Sequence, residues 1–221
     1  MKPWLSLDST GESYSLALWR GPQLLAECSG GQPRQHLVQI FPALDLLCRQ
    51  SGLKPGELRA VAVTGGPGSF TGVRTGLLLA KTLAQADDLP VYPVDTLEAL
   101  AANAVEGDSV VAGLDARKGE IIWARYRVRQ GLPSLLEPAR LSSPQEFLDS
   151  IPAGSLVLGS ACQAALPGGE EVRVLPADLW RVRAVSVGRV AWPRLQAGAG
   201  TSWPQLRPDY VRPADVQVHR G

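Results

Sequence analysis

The sequence predicts an α/β protein of two lobes. Three observations carry this. The element order βββαβαβα is legible over residues 4–104. Gly107-Asp108 makes the best internal boundary. A strand–Asp–turn–strand opening occurs at Leu7-Asp8 and again at Leu114-Asp115, a weak internal repeat that suggests two related lobes. The expected division is an N-terminal lobe over 1–106, a smaller lobe over 107–185, a helix at 186–196 and a Pro-rich tail over 197–221.

The elements follow in order. Trp4 to Leu7 reads as a strand ending in the polar turn Asp8-Ser9-Thr10-Gly11-Glu12-Ser13. Tyr14 to Arg20 alternates apolar and polar residues, Gly21-Pro22 turns the chain, and Gln23 to Cys28 returns it, giving an antiparallel meander. Gln35 to Gln50 is helical: Leu37, Ile40, Phe41, Leu44 and Leu47 form a stripe that Val38 and Leu46 widen. That arc is broader than one buried face requires, so the helix should touch something besides its own sheet. Pro42 should bend it, and Gly52 suits the C′ cap.

Leu58 to Thr64 is a short buried strand, and Val73 to Ala86 a helix. Between them runs Gly65-Gly66-Pro67-Gly68-Ser69-Phe70-Thr71-Gly72-Val73-Arg74. Strand, glycine loop and helix together make an anion site at a helix N-terminus, or a tight turn that binds nothing. Gly65, Gly66 and Gly68 can take positive φ, and Ser69 or Thr71 can cap the helix. The loop is neither a Walker A, since no Lys follows the last glycine, nor G-x-G-x-x-G. Gly72, Gly76, Ala80 and Ala84 recur every four residues along the helix. Such a smooth stripe admits a close partner helix, or lies against its own sheet.

Val91 to Val94 is the next strand, and Thr96 can cap a helix from Leu97 to Ala104. Val110 to Leu114 and Glu120 to Arg129 are strands, residues 130–142 a loop, Pro144 to Ser150 a short helix and Leu156 to Leu158 a strand. A last helix, Ser186 to Gln196, is interrupted by Pro193, and the tail is too Pro-rich to be helical. Arg125, Arg127 and Arg129 share one face of the long strand and read as a solvated face rather than a nucleic-acid contact.

Composition excludes several classes. The chain has 221 residues and a net charge of +1, so it has no global drive towards nucleic acid. Cys28, Cys48 and Cys162 are odd in number and far apart, which argues against a disulfide framework or zinc site and fits a reducing compartment. Neither a signal peptide nor an apolar run of membrane-spanning length is expected, and the chain reads as cytoplasmic. His36 and His219 lie in no H-x-x-x-H pattern, so a histidine metal centre is not expected. His36 could act as a base, with solvent or interface contact the other reading, and His219 is expected to be disordered. Asp8 is a phosphate or metal-phosphate contact or a turn residue, and with Asp115 it could hold Mg²⁺ between lobes.

Several motifs occur together: Leu7-Asp8-Ser9-Thr10, Gln35-His36, Gly66 to Gly76, Leu97-Glu98-Ala99-Leu100-Ala101, Leu114 to Glu120, and Pro208-Asp209-Tyr210-Val211-Arg212. In this combination the chain resembles the bacterial TsaB (YeaZ) family over nearly its whole length. The resemblance implies an actin-like (ASKHA, ribonuclease H-like) fold, two lobes each with a central mixed sheet flanked by helices. It implies a role in making N6-threonylcarbamoyladenosine at position 37 of tRNAs that read ANN codons. TsaB-like proteins are the non-catalytic paralogues of TsaD, the transferase that carries the metal site, while TsaE supplies an ATPase. In TsaD-like proteins an H-x-x-x-H metal pair lies after the strand that follows the glycine-loop helix. Here those positions fall on Thr96 and Leu100.

The first two helices of such proteins form a homodimer, or a heterodimer with TsaD. The resemblance therefore implies an interface of His36, Ile40, Phe41, Leu44, Gly72, Val73, Gly76, Leu77, Ala80 and Ala84. A degenerate nucleotide cleft would comprise Asp8, Ser9, Thr10, Gly66, Gly68, Ser69 and Asp115. No catalytic or metal-binding residue and no tightly bound cofactor is expected of this chain, with ATP or ADP and Mg²⁺ entering in the complex and tRNA reached through it. The competing reading is an independent phosphotransferase or nucleotide-binding enzyme of the same fold, using Asp8, Asp115 and the glycine loop. A peptidase is a third reading with less behind it.

Overall fold

A computed structural model describes residues 2–31, 36–165 and 172–210, with the backbone alone at His36 and Leu37. The first five strands are β1 (Pro3–Asp8), β2 (Tyr14–Arg20), β3 (Gln23–Gly30), β4 (Val61–Gly66) and β5 (Val91–Asp95). They form one sheet in the order β3-β2-β1-β4-β5, antiparallel among the first three and parallel from β1 through β4 to β5. Helix α1 (His36–Gln50) connects β3 to β4, and α2 (Phe70–Asp87) connects β4 to β5.

Period-two alternation sorts the core. Leu5, Leu7, Val61 and Val63 meet Ile40, Leu44 and Leu47 of α1 and Val73, Leu77 and Ala80 of α2. Trp4, Trp19, Ala62 and Val94 point the other way, onto Val187, Val190 and Ala191 of the last helix, α6 (Ala184–Gln196). The indole rings of Trp4 and Trp19 stack with centroids 5.3 Å apart. Helices cover both faces, so β1 and β4 are buried almost throughout.

The second sheet has the order β10-β9-β6-β7-β8. Its strands are β6 (Gly107–Asp115), β7 (Ile121–Arg129), β8 (Leu132–Ser142), β9 (Leu156–Leu158) and β10 (Arg173–Val174). Helix α3 (Thr96–Ala101) lies where the sheets meet: Ala99 joins the core of the first lobe, and Leu97 and Leu100 pack on Val110 and Ala124 of the second. Helices α4 (Pro144–Ser150) and α5 (Ala161–Ala164) cover the other face with Phe147 and Cys162.

Three expectations change. Residues 132–142 are the edge strand β8, paired antiparallel with β7, not a loop. An edge tolerates Pro133 and Pro138, whose missing N–H groups remove donors that a central strand would need. Helix α6 is not interrupted at Pro193: the residue falls in its last turn, and Ala197 N–H closes onto the Pro193 carbonyl at 3.1 Å. Helix α3 is capped by Asp95, whose carboxylate accepts from Glu98 N–H at 2.8 Å, and Thr96 is its first residue. On β7 the expected solvated face is present at Arg127 and Arg129, which are exposed and lie beside Asp108, while Arg125 is less exposed and pairs with Glu137. Residues Val211 to Gly221, including His219, lie outside the described residues.

Candidate docking face and glycine loop

The glycine loop is filled from within. Gly66 takes φ +123°, and a Cβ there would stand 2.0 Å from the carbonyl oxygen of Asp209. Asp209 N–H donates to the Gly65 carbonyl at 2.7 Å, so the tail is laid across the end of β4. Of the three glycines expected at positive φ, only Gly66 adopts it. Gly68 is small for a different reason: a Cβ there would lie 2.7 Å from Thr10 Cβ. Ser69 N–H donates to the Thr10 carbonyl at 2.8 Å, and its hydroxyl caps α2 by accepting from Gly72 N–H at 3.3 Å.

Asp8 serves the same knot. It is 2% exposed, and its Oδ1 accepts from Thr10 N–H at 3.2 Å, Thr10 Oγ1 at 2.7 Å and Thr64 Oγ1 at 2.6 Å. It thereby ties the end of β1 to the end of β4. Asp115 is exposed in the other lobe, where its Oδ1 accepts from Arg117 N–H at 2.8 Å and its own N–H donates to Ser160 Oγ. Asp8 and Asp115 have no partner in common in these bonds. The expected nucleotide residues do not fit a phosphate at the glycine loop: Asp209 fills the space at Gly66, Thr10 that at Gly68, and Ser69 takes a first-turn amide of α2.

The small-residue stripe of α2 faces inward, which corrects the expected interface. A Cβ on Gly72 would stand 2.1 Å from the Ser9 carbonyl oxygen, and one on Gly76 2.6 Å from Ser9 Oγ. Ala80 and Ala84 lie in the same core, as do Ile40, Leu44, Val73 and Leu77. Of the expected interface residues with described side chains, Phe41 alone reaches the surface. The side chain of His36 lies outside the described residues.

The outward faces carry a different apolar set: Val38 is 76% and Leu46 56% exposed on α1, Phe70 40% and Leu78 49% on α2. Phe70, Arg74 and Leu78 are spaced by four and offset by two from the glycine stripe. At 100° per residue that is about 200°, the opposite side of the helix. This was the signal sequence reasoning missed. With Thr71 and Thr75 these three residues line a shallow groove of about 290 Å³.

At the positions aligned with the metal pair, Thr96 and Leu100 are buried. The Thr96 hydroxyl has no hydrogen-bond partner among the described residues. Next to it, burial pushes the Asp95 carboxyl up to about 6, and Tyr126 OH donates to it at 3.4 Å. Among the described residues no three His, Cys, Asp or Glu side chains gather into a metal-binding group, and no helix is long and apolar enough to cross a membrane.

Residues 25–162 match the family model described as TsaD: tRNA N6-adenosine threonylcarbamoyltransferase. The chain is 36% identical over 135 residues to the tRNA threonylcarbamoyladenosine biosynthesis protein TsaB of Bacillus subtilis, across 61% of this chain and 59% of that protein. The curated relatives are thus matched over little more than half their length, 54% to 62% in three TsaB proteins. YeaZ from Pseudomonas aeruginosa is similar in structure with a TM-score of 0.85 and 26% identity, covering 96% of this chain and all of that one. Component A of the (R)-2-hydroxyglutaryl-CoA dehydratase of Acidaminococcus fermentans, 9% identical at a TM-score of 0.50 over 89% of this chain and 100% of that one, is similar in fold alone. The two sheets have the actin-like, ribonuclease H-like architecture.

Proposed function

Because the chain belongs to the TsaD-related family, on its TsaB (YeaZ) branch, we propose that it is a non-catalytic subunit that docks on a TsaD-like transferase. In that role it supports N6-threonylcarbamoylation of adenosine 37 in tRNAs reading ANN codons. The observation that carries this reading is the outer layer of the first lobe. Helices α1 and α2 lie on the same face of the first sheet, and Val38, Phe41, Leu46, Phe70 and Leu78 remain exposed on their far side. Large apolar side chains gathered on adjoining helices suit a partner helix pair better than water. The same face would join two copies when the chain is alone.

Chemistry at this chain's own cleft has less support. Asp8 spends its inner oxygen on three donors, and the glycine loop is occupied by the tail. The transferase step therefore belongs to the TsaD-like partner, nucleotide with Mg²⁺ to the complex and its TsaE-like ATPase, and tRNA contact to the assembled particle. The setting is the cytoplasm. Light scattering on the chain alone and mixed with its TsaD-like partner tests the reading. The expected result is a self-dimer that exchanges into a one-to-one complex, and a chain indifferent to the partner would overturn it.

A further inference from the structure

The tail is joined to the exposed face of α2 as well as to the glycine loop. Leu206 is buried in the core of the first lobe, which anchors the segment. Asp209 then bonds Gly65, and the Tyr210 ring stacks on Phe70 with centroids 5.1 Å apart. Tyr210 OH accepts from Arg74 Nε at 3.0 Å, and the Arg74 guanidinium lies 3.8 Å over the Phe70 ring. Each of the three side chains thus contacts the other two. Among the described residues no carboxylate pairs with Arg74.

An exposed arginine ordinarily samples many rotamers, and ordering it on binding costs entropy. Here the ring of Phe70 and the hydroxyl of Tyr210 fix it beforehand, at the rim of the groove that Phe70 and Leu78 line. We infer that Tyr210 is a positioning residue for the docking face. The tail holds Phe70 and Arg74 so that the guanidinium meets a carboxylate of the TsaD-like partner while an apolar side chain beside that carboxylate enters the groove. A fixed planar fork suits a carboxylate, and the apolar lining suits the neighbour. The inference rests on the docking reading above, and it assigns the tail a part in that interface.

Calorimetric titration of the full-length chain into the TsaD-like partner tests it, with Tyr210→Ala, Arg74→Ala, the double variant and Leu46→Asp. Losing a stack and a cation–π orientation should weaken binding about tenfold for Tyr210→Ala. Arg74→Ala should lose about as much or more, and the double variant should lose clearly less than the two single losses combined, because Tyr210 acts in part through Arg74. Tyr210→Ala binding like the wild type, while Leu46→Asp loses binding, would overturn the role of Tyr210 and leave the docking reading standing. Additive losses in the double variant would overturn positioning, since Tyr210 would then contribute on its own. Leu46→Asp binding like the wild type would overturn the docking reading itself, and the inference with it.

Discussion

Ser9 and Gly72 are in direct contact: the Ser9 hydroxyl donates to the Gly72 carbonyl at 2.8 Å, and the Ser9 carbonyl oxygen stands 2.1 Å from where a Cβ on Gly72 would be. The turn after β1 therefore rests on the backbone of α2. Gly72→Ala pushes a methyl into a main-chain oxygen that has no rotamer to change. We predict a loss of about 2–3 kcal/mol, read as a lower urea midpoint, and a larger loss or insoluble protein for Gly76→Leu. A Gly72→Ala protein as stable as the wild type would contradict the inward placement of the stripe.

Ser69 caps α2 through its side chain, and the capped amide is that of Gly72. Ser69→Ala should cost about 1 kcal/mol and speed hydrogen exchange in the first turn of α2. Ser69→Asp should restore most of the loss, because a carboxylate accepts the same bond and favours the helix N-terminus. No recovery with Asp would contradict the cap assignment.

Burial raises the Asp95 carboxyl from 3.8 to about 6; the Glu98 backbone N–H pulls it down, and the Glu98 and Asp209 carboxylates add to the rise. A carboxyl whose folded pKa lies above its unfolded one favours the fold while protonated. Its contribution is therefore full below pH about 4, falls as pH rises to about 6 and is level beyond. Asp95→Asn keeps the capping oxygen and removes the charge. It should gain about 1–2 kcal/mol over the wild type at pH 8 and nothing at pH 4, by chemical denaturation at both values. An equal difference at both pH values would contradict the account.

Much of this was legible in the chain itself. Gly65 to Gly68 and Ser69 punctuate a β-branched run and a helical one, so strand, loop and helix could be placed from local chemistry, and the cap narrowed to Ser69 or Thr71. The direction of the Gly72–Ala84 stripe could not, because a spacing of four suits a partner helix and a sheet equally. What decides it is Ser9, brought against Gly72 from 63 positions away. Strand β8 was hidden by Pro133 and Pro138, which are breakers everywhere except at an edge. The filling of the glycine loop by Asp209 is a contact across more than 140 residues, and no local pattern announces it. Asp95 and Thr96 are both good capping residues side by side, and the backbone entry angle chose between them.

The central claim is that the outer faces of α1 and α2 bind a TsaD-like transferase while their inner faces build the core. The most direct measurement is the affinity of Val38→Asp and Leu46→Asp for that partner, with thermal unfolding of the isolated chain recorded alongside. Both positions are solvated on a single copy of the chain, so unfolding recorded at a dilution that separates the self-dimer should change by no more than about 0.5 kcal/mol. A carboxylate in the middle of an apolar interface should cut affinity by at least about tenfold. Unchanged folding with lost binding is the predicted result. Unchanged folding with wild-type affinity for both variants would contradict the account.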